Sequence, residues 1–198
     1  MIKEDPAKAS EAFDELLKGK NKKNAFLLVE IGRAYLDQGK TAEAAEYAQR
    51  AKDINSKCAV AYLLSGDIAL NLNDVNKASS DYNQAIYLDE DCSEAYFKYA
   101  QVYKGVDPQL SLDMLMRLQS KTPEDNRISK ELADVYYTMG QYGKAKEAYE
   151  NYLKVGTPTE QDYTRYAMLL YLNKDYAQSL DMVKNCLLYT SPSPRDTR

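Results

Sequence analysis

Small and apolar residues recur along this chain at a nearly fixed interval. Gly32, Gly66, Ala100, Ala133 and Ala167 lie 34, 34, 33 and 34 residues apart, and Ala44, Ala78, Ser111, Ala145 and Ser179 follow them about twelve positions later. Large side chains flank the first series: Leu28, Tyr62, Tyr96 and Tyr163 four positions before it, and Tyr35, Tyr103, Tyr136 and Leu170 three positions after it. That spacing is the i, i+3, i+4, i+7 stripe of an amphipathic helix. Tyr82, Leu115, Tyr149 and Val183 stand four residues after the second series, so each period predicts two helices.

Between the two helices of a period lie short breaks, DQGKT, NLND, GVDP, MGQYG and LNKD, with Gly39, Asn73, Gly140 and Asp107-Pro108 as turn formers. Loops this short lay the helices antiparallel and side by side. The paired small residues then fall where two close helices cross, which leaves no room for a larger side chain. The expected repeats are 25–58, 59–92, 93–125, 126–159 and 160–185. Asp5-Pro6, Asp107-Pro108, Thr122-Pro123 and Thr157-Pro158 each read as a capping side chain before a proline at the first helical position. Residues 1–24 read as one more helix, with Ala9, Phe13, Leu16 and Leu17 on its apolar face.

These recurring positions resemble the tetratricopeptide repeat (TPR). In AFLLVEIGRAYLDQGKTAEAAEYAQRAKDINS the resemblance rests on Gly32, Tyr35, Gly39, Ala44 and Ala51. SKELADVYYTMGQYGKAKEAYENYL repeats it with Ala133, Tyr136, Gly140, Tyr142, Ala145 and Tyr149. It covers about residues 25 to 185 and departs from the family pattern at Ser129, Ala48 and Ala69, and in most of the prolines that close a repeat. The resemblance implies an all-α, right-handed α-solenoid of antiparallel helix pairs, the TPR superhelix. The segment 1–24 then resembles the second helix of an incomplete preceding repeat. Neither end carries a polar cap, so the sequence is expected to be a piece of a longer solenoid.

Composition narrows the chemistry. The chain has no histidine, which removes the commonest general base and metal ligand together. Its glycines are scattered singly, so no phosphate-cradling loop forms. The acids of YLDEDCSE read as a solvated turn, since a calcium loop needs alternating oxygen ligands around a central glycine. No catalytic residue, cofactor or metal is therefore expected, and the chain is not expected to be an enzyme. A formal charge of −4 without a basic run argues against a nucleic-acid partner. No apolar stretch approaches the roughly 20 residues of a membrane span, and the start MIKEDPAKAS lacks the apolar core of a secretion signal. The chain reads as soluble, which leaves its compartment open between the cytoplasm and, if a signal peptide has been lost, a bacterial periplasm. Cys58 and Cys92 stand one repeat apart, too far for a disulfide if neighbouring helices pack about 8–10 Å apart, and read as small buried residues.

What remains is surface. In TPR proteins the first helices of the repeats line a concave groove for a protein or peptide partner. The resemblance nominates Val29, Arg33, Leu36, Leu63, Asp67, Leu70, Phe97, Gln101, Lys130, Asp134 and Tyr137 for it, with Met168 and Tyr171 further on. Val29, Leu63, Phe97, Leu36 and Leu70 would form an apolar strip toward the N-terminus; alternatively they merely cover neighbouring helices. The TPR clamp that grips chaperone C-termini uses Lys, Asn, Asn, Lys and Arg on successive first helices. Here those places hold Val29, Arg33, Leu64, Glu94 and Lys98, or Leu63, Asp67, Lys98, Arg127 and Glu131, and neither set makes that clamp. The expected role is a non-catalytic interaction scaffold. The alternatives are the sensor or docking portion of a larger signalling enzyme or regulator, or a cell-envelope TPR protein.

The tail CLLYTSPSPRD, residues 186–196, resembles translated sequencing-adapter DNA in its codons, so residues 186–198 are expected to be non-native. Without them the formal charge is −5, because Arg195 and Arg198 outweigh Asp196 by one.

Overall fold

The computed structural model of the chain describes residues 11–13 and 15–190, with the backbone alone for residue 20 and residues 185–190. Residues 11–13 and 15–16 are helical, and from Ala25 on ten helices follow one another: α1 (Ala25–Asp37), α2 (Thr41–Ile54), α3 (Ala59–Asn71), α4 (Val75–Leu88), α5 (Ser93–Tyr103), α6 (Pro108–Lys121), α7 (Asn126–Thr138), α8 (Tyr142–Val155), α9 (Glu160–Leu172) and α10 (Tyr176–Thr190). A short 3-10 turn, Gly19–Lys23, precedes α1, and there is no strand among the described residues. The antiparallel helix pairs are those the periodicity predicts, and the architecture is the all-α solenoid that the resemblance implies. The backbone of residues 186–190 continues α10, while residues 191–198 and the Asp5-Pro6 step lie outside the described residues.

The chain forms two compact units, residues 1–102 and 103–198. In the first, α1 packs along α2 and α3 along α4, while α3 also rests on α1 and α2. Leu28, Val29, Ile31, Ala44, Ala48 and Leu64 form one core cluster, and Leu63, Ala69, Ala78, Tyr82 and Ala85 another. Phe13 extends the first cluster N-terminally, its ring edge-on to Tyr35 at 5.4 Å. In the second unit α7 packs along α8 and α9 along α10, with α6 against α7 and α8 against α9. Ala133, Ala145, Tyr149, Tyr152, Tyr166, Leu169 and Leu170 are its core.

The small residues sit where the helices touch. A Cβ on Gly32 would lie 2.7 Å from Leu64 Cδ2 and 3.4 Å from the Ala44 carbonyl oxygen. At the corresponding crossing of α9 and α10, the Ser179 hydroxyl donates to the Ala167 carbonyl at 2.7 Å. Ala44 and Ala145 are fully buried. Replacing either by Leu is expected to cost about 1 to 3 kcal/mol through overpacking. A thermal melt indistinguishable from that of the parent protein would contradict this account of the crossings.

The turn after each of α1, α3, α7 and α9 is the same device. Gly39, Asn73, Gly140 and Lys174 take φ of +76°, +60°, +72° and +70°. The Gly39 N–H donates to the Leu36 carbonyl and the Lys40 N–H to the Tyr35 carbonyl, and the other three turns repeat both bonds. This is the Schellman closure, which satisfies two carbonyls at the helix end. Lysine reaches this conformation at a cost that glycine escapes.

Helix starts agree with the sequence reading at one proline and differ at two. Asp107 caps α6, accepting from the Leu110 N–H, with Pro108 in the first turn. Pro123 and Pro158 do not open helices. Thr122 instead closes α6, and Asp125 caps α7 by accepting from the Arg127 N–H. Thr159 and Asp162 cap α9 reciprocally. In both cases a better acceptor lies a few residues beyond the Thr-Pro step, so the helix begins there.

Candidate partner-binding surface

Burial separates the nominated residues. Val29, Leu63 and Phe97 are 0%, 2% and 7% exposed. Val29 belongs to the first core cluster and Leu63 to the second, because large apolar side chains at these places are enclosed by the neighbouring helices. Of the apolar strip expected toward the N-terminus, Val29, Leu63 and Phe97 are thus buried among the helices. Leu36 and Leu70 are half-buried against the same clusters. Exposed large apolar side chains of the first helices are Phe26 of α1, 63% exposed, in the first unit and Tyr137, Met168 and Tyr171, 43%, 60% and 61% exposed, in the second.

In the first unit, Arg33 and Leu36 of α1, Val60, Leu63 and Asp67 of α3, and Lys98 of α5 surround an open hollow of about 550 Å³. Asp37, Asp89, Cys92, Ser93 and Glu94 complete its lining. Asp67 is already engaged: it accepts from the Tyr82 hydroxyl at 2.7 Å and pairs with Lys98 at 3.3 Å. Burial, then the carboxylate it donates to, push the Tyr82 phenol up, so it stays protonated. Arg33 is differently placed. Its nearest carboxylate is Glu30 at 3.8 Å, and its buried Nε meets no acceptor among the described residues. Cys58 and Cys92 are both free thiols. Burial pushes the Cys92 thiol up, which keeps it protonated and poorly nucleophilic near neutral pH.

In the second unit, Asp134 and Tyr137 of α7 meet Arg165 and Met168 of α9 around a hollow of about 320 Å³, with Lys104, Ala133, Thr138, Tyr149 and Leu169 in its lining. Lys104 donates to Glu131 at 2.9 Å and to Asp134 at 3.0 Å. Burial would lower its pKa, but the two carboxylates outweigh burial and raise it, so it remains an ammonium. Arg165 is exposed and forms no ion pair among the described residues. Lys130 lines neither hollow; it is drawn to Asp162 at 2.6 Å, with its ammonium 5.1 Å from the centre of the Tyr152 ring. Gln101 is exposed on α5 and also lies outside both.

The residues that sequence reasoning missed have a simple signature. Lys98 and Arg165 each stand one position after a member of the series Val29, Leu63, Phe97, Lys130, Thr164. That offset series reads Glu30, Leu64, Lys98, Glu131, Arg165, and three of its charged members pair with a side chain on the same or a neighbouring first helix or, for Glu131, with Lys104. Among the described residues no group of three or more His, Cys, Asp or Glu side chains is placed to hold a metal ion. No described helix is long and apolar enough to cross a membrane.

Comparison with known proteins places this geometry in a family. Two family models, both described as tetratricopeptide repeat, match residues 3–57 and residues 59–92 and 131–155, together more than half of the chain. No curated protein matches the sequence. Among solved structures, the chain is similar to PilF of Pseudomonas aeruginosa at 20% identity and a TM-score of 0.76, covering 90% of this chain and 81% of that one. It is similar to MamA residues 41 to the end from Desulfovibrio magneticus RS-1 at 18% identity and a TM-score of 0.73, over 82% and 93% of the two chains. YrrB, described as a TPR protein with an unusual peptide-binding site, matches at 14% identity and a TM-score of 0.71, over 90% and 92%. At such identities the likeness is one of fold alone. Repeat spacing, helix pairing and family models agree: the chain belongs to the tetratricopeptide repeat family.

Proposed function

We propose that the chain is a non-catalytic interaction module that holds a segment of a protein partner against the first helices of its repeats. The observation that carries this reading is the pair of open hollows lined by first helices, one of which presents exposed Tyr137 and Met168 beside Arg165, which has no ion pair among the described residues. Aromatic, methionine and arginine side chains are the types enriched where proteins bind one another. The fold likeness to YrrB, whose description includes a peptide-binding site, agrees with it.

The test is partner capture with the full chain as bait. Tyr137→Glu combined with Met168→Glu is expected to abolish capture of partners retained by the parent protein while leaving its thermal melt within a few degrees, since both side chains face solvent. Tyr87→Glu, at an 80% exposed position on the second helix of its repeat, is expected to leave capture unchanged. Equal recovery with the double variant and the parent would refute the reading.

A further inference from the structure

Four tyrosines of the second unit stand apart from those of its core. In the core, the hydroxyls of Tyr149 and Tyr152 donate to Asp162 and that of Tyr166 to Glu150. The hydroxyls of Tyr137, Tyr142, Tyr171 and Tyr176 make no hydrogen bond among the described residues. Their rings are paired instead. Tyr137, in the last turn of α7, meets Tyr142, the first residue of α8, with ring centroids 5.7 Å apart. Tyr171, in the last turn of α9, meets Tyr176, the first residue of α10, at 5.3 Å. The second pair repeats the first 34 residues further on. Earlier in the chain the same two places hold Leu36 with Thr41, Leu70 with Val75 and Lys104 with Pro108, so the fold does not require an aromatic pair there.

A row of exposed rings with unspent hydroxyls suits a partner that offers apolar surface and free acceptors together. Neighbouring helices pack about 8 to 10 Å apart, which sets the step between equivalent side chains of successive first helices. Three residues of polyproline II span about 9 Å, so a proline-rich segment crossing these helices presents the same face to Tyr137 and then to Tyr171. Its pyrrolidine rings are apolar, and its carbonyls make no internal hydrogen bond. A helical segment fits less well, because its carbonyls are spent on its own backbone and it would bury the hydroxyls unpaired. Met168 and Arg165, beside Tyr137 in the same hollow, add apolar surface and further donors.

We propose that the two tyrosine pairs bind a proline-rich segment of a partner protein in the polyproline II conformation. Pyrrolidine rings of the segment pack on Tyr137 and Tyr171, and its main-chain carbonyls accept from the tyrosine hydroxyls. The proposal rests on the reading of the first helices as a partner surface and adds the chemical class of the partner segment.

The experiment is fluorescence anisotropy on the full chain with three labelled, end-capped peptides: decaproline, a glycine–serine peptide of the same length, and a helix-forming peptide of alanine, glutamine and leucine. Decaproline, whose conformation is fixed before binding, is expected to bind about tenfold more tightly than either of the others. Tyr137→Ala with Tyr171→Ala is expected to weaken it at least tenfold while leaving the thermal melt within a few degrees, since both side chains face solvent. Tyr137→Phe with Tyr171→Phe keeps the rings, loses the hydroxyl donors and is expected to weaken binding severalfold. Tyr87→Ala removes an exposed tyrosine from the second helix of another repeat and is expected to change nothing. Equal binding of the three peptides, or tighter binding of the helix-forming one, would overturn the proposal, as would full affinity in either double variant or an equal loss from Tyr87→Ala. If decaproline does not bind while Tyr137→Glu with Met168→Glu still abolishes partner capture, this inference falls and the interaction reading stands; if capture is also unaffected, both fall.

Discussion

Replacing Asp162 by Ala is expected to destabilise the second unit by about 3 kcal/mol, at the lower end of what breaking a buried ion pair costs. The carboxylate is 1% exposed and accepts from the Thr159 N–H at 2.8 Å, the Thr159 hydroxyl at 2.9 Å, the Tyr149 hydroxyl at 3.1 Å and the Tyr152 hydroxyl at 3.2 Å, besides pairing with Lys130 at 2.6 Å. Without it, α9 loses half of its capping box, the Tyr149 hydroxyl loses its acceptor and the Tyr152 hydroxyl keeps the Thr157 carbonyl at 3.4 Å. Lys130 limits the damage, because its side chain is 31% exposed and can turn to solvent. The same site predicts a pH dependence. Burial by itself would raise the Asp162 pKa, but Lys130, the Thr159 N–H and hydroxyl, and the Tyr149 hydroxyl outweigh it and hold the carboxyl far below the usual carboxylate range. A depressed folded-state value means the stabilisation is complete above the unfolded value of about 3.9 and is lost as pH falls below it toward the folded value. Asp162→Asn should therefore have a shallower loss of stability on acidification below about pH 4 than the parent protein. Urea midpoints at pH 7 and pH 3 measure this, and an unchanged difference between the two would contradict the assigned role.

This network also shows what the sequence made legible and what it did not. Thr159 and Asp162 have the spacing of a capping box, so the start of α9 was readable, yet the Thr157-Pro158 step two residues earlier carried an equally plausible start. Tertiary contacts add to the local capping pair at the later start, through Lys130 and the two tyrosines that α7 and α8 bring to Asp162. The crossings and turns were clearer, because Gly32 with Ala44, and Gly39 or Gly140 in a left-handed turn, have one local physical cause each. Lys174 fills the same turn with a residue that signals nothing. The docking surface was the least legible part. A 34-residue period says which positions share a face, but Val29 and Leu63 on one series sink into the core, while Lys130 on the same series pairs with Asp162. Side-chain chemistry and the next helix over decide exposure, and neither is encoded in the period.

The second large effect is a change of sign. Gly66 lies in the middle of α3, where Ala would ordinarily stabilise a helix by about 0.8 to 1 kcal/mol. Here a Cβ would sit 2.4 Å from Cε1 and 2.6 Å from Cδ1 of Tyr82. That ring cannot step aside: it is fully buried, and its hydroxyl is fixed to Asp67 at 2.7 Å. Gly66→Ala is therefore expected to cost about 2 kcal/mol net, overpacking outweighing helix preference. Tyr82→Ala alone should cost about 3 to 5 kcal/mol, from the cavity it opens. Once the ring is gone, the obstacle to the new methyl group is gone too, and Gly66→Ala in the Tyr82→Ala background should stabilise by up to about 1 kcal/mol. The coupling between the two sites is then about 3 kcal/mol, far outside the additivity seen for independent positions. Urea denaturation of the four proteins, followed by circular dichroism, closes the cycle. If Gly66→Ala destabilises equally in both backgrounds, the conflict lies with the backbone of α3 rather than with the ring, and close contact between Gly66 and Tyr82 is not what keeps this position a glycine.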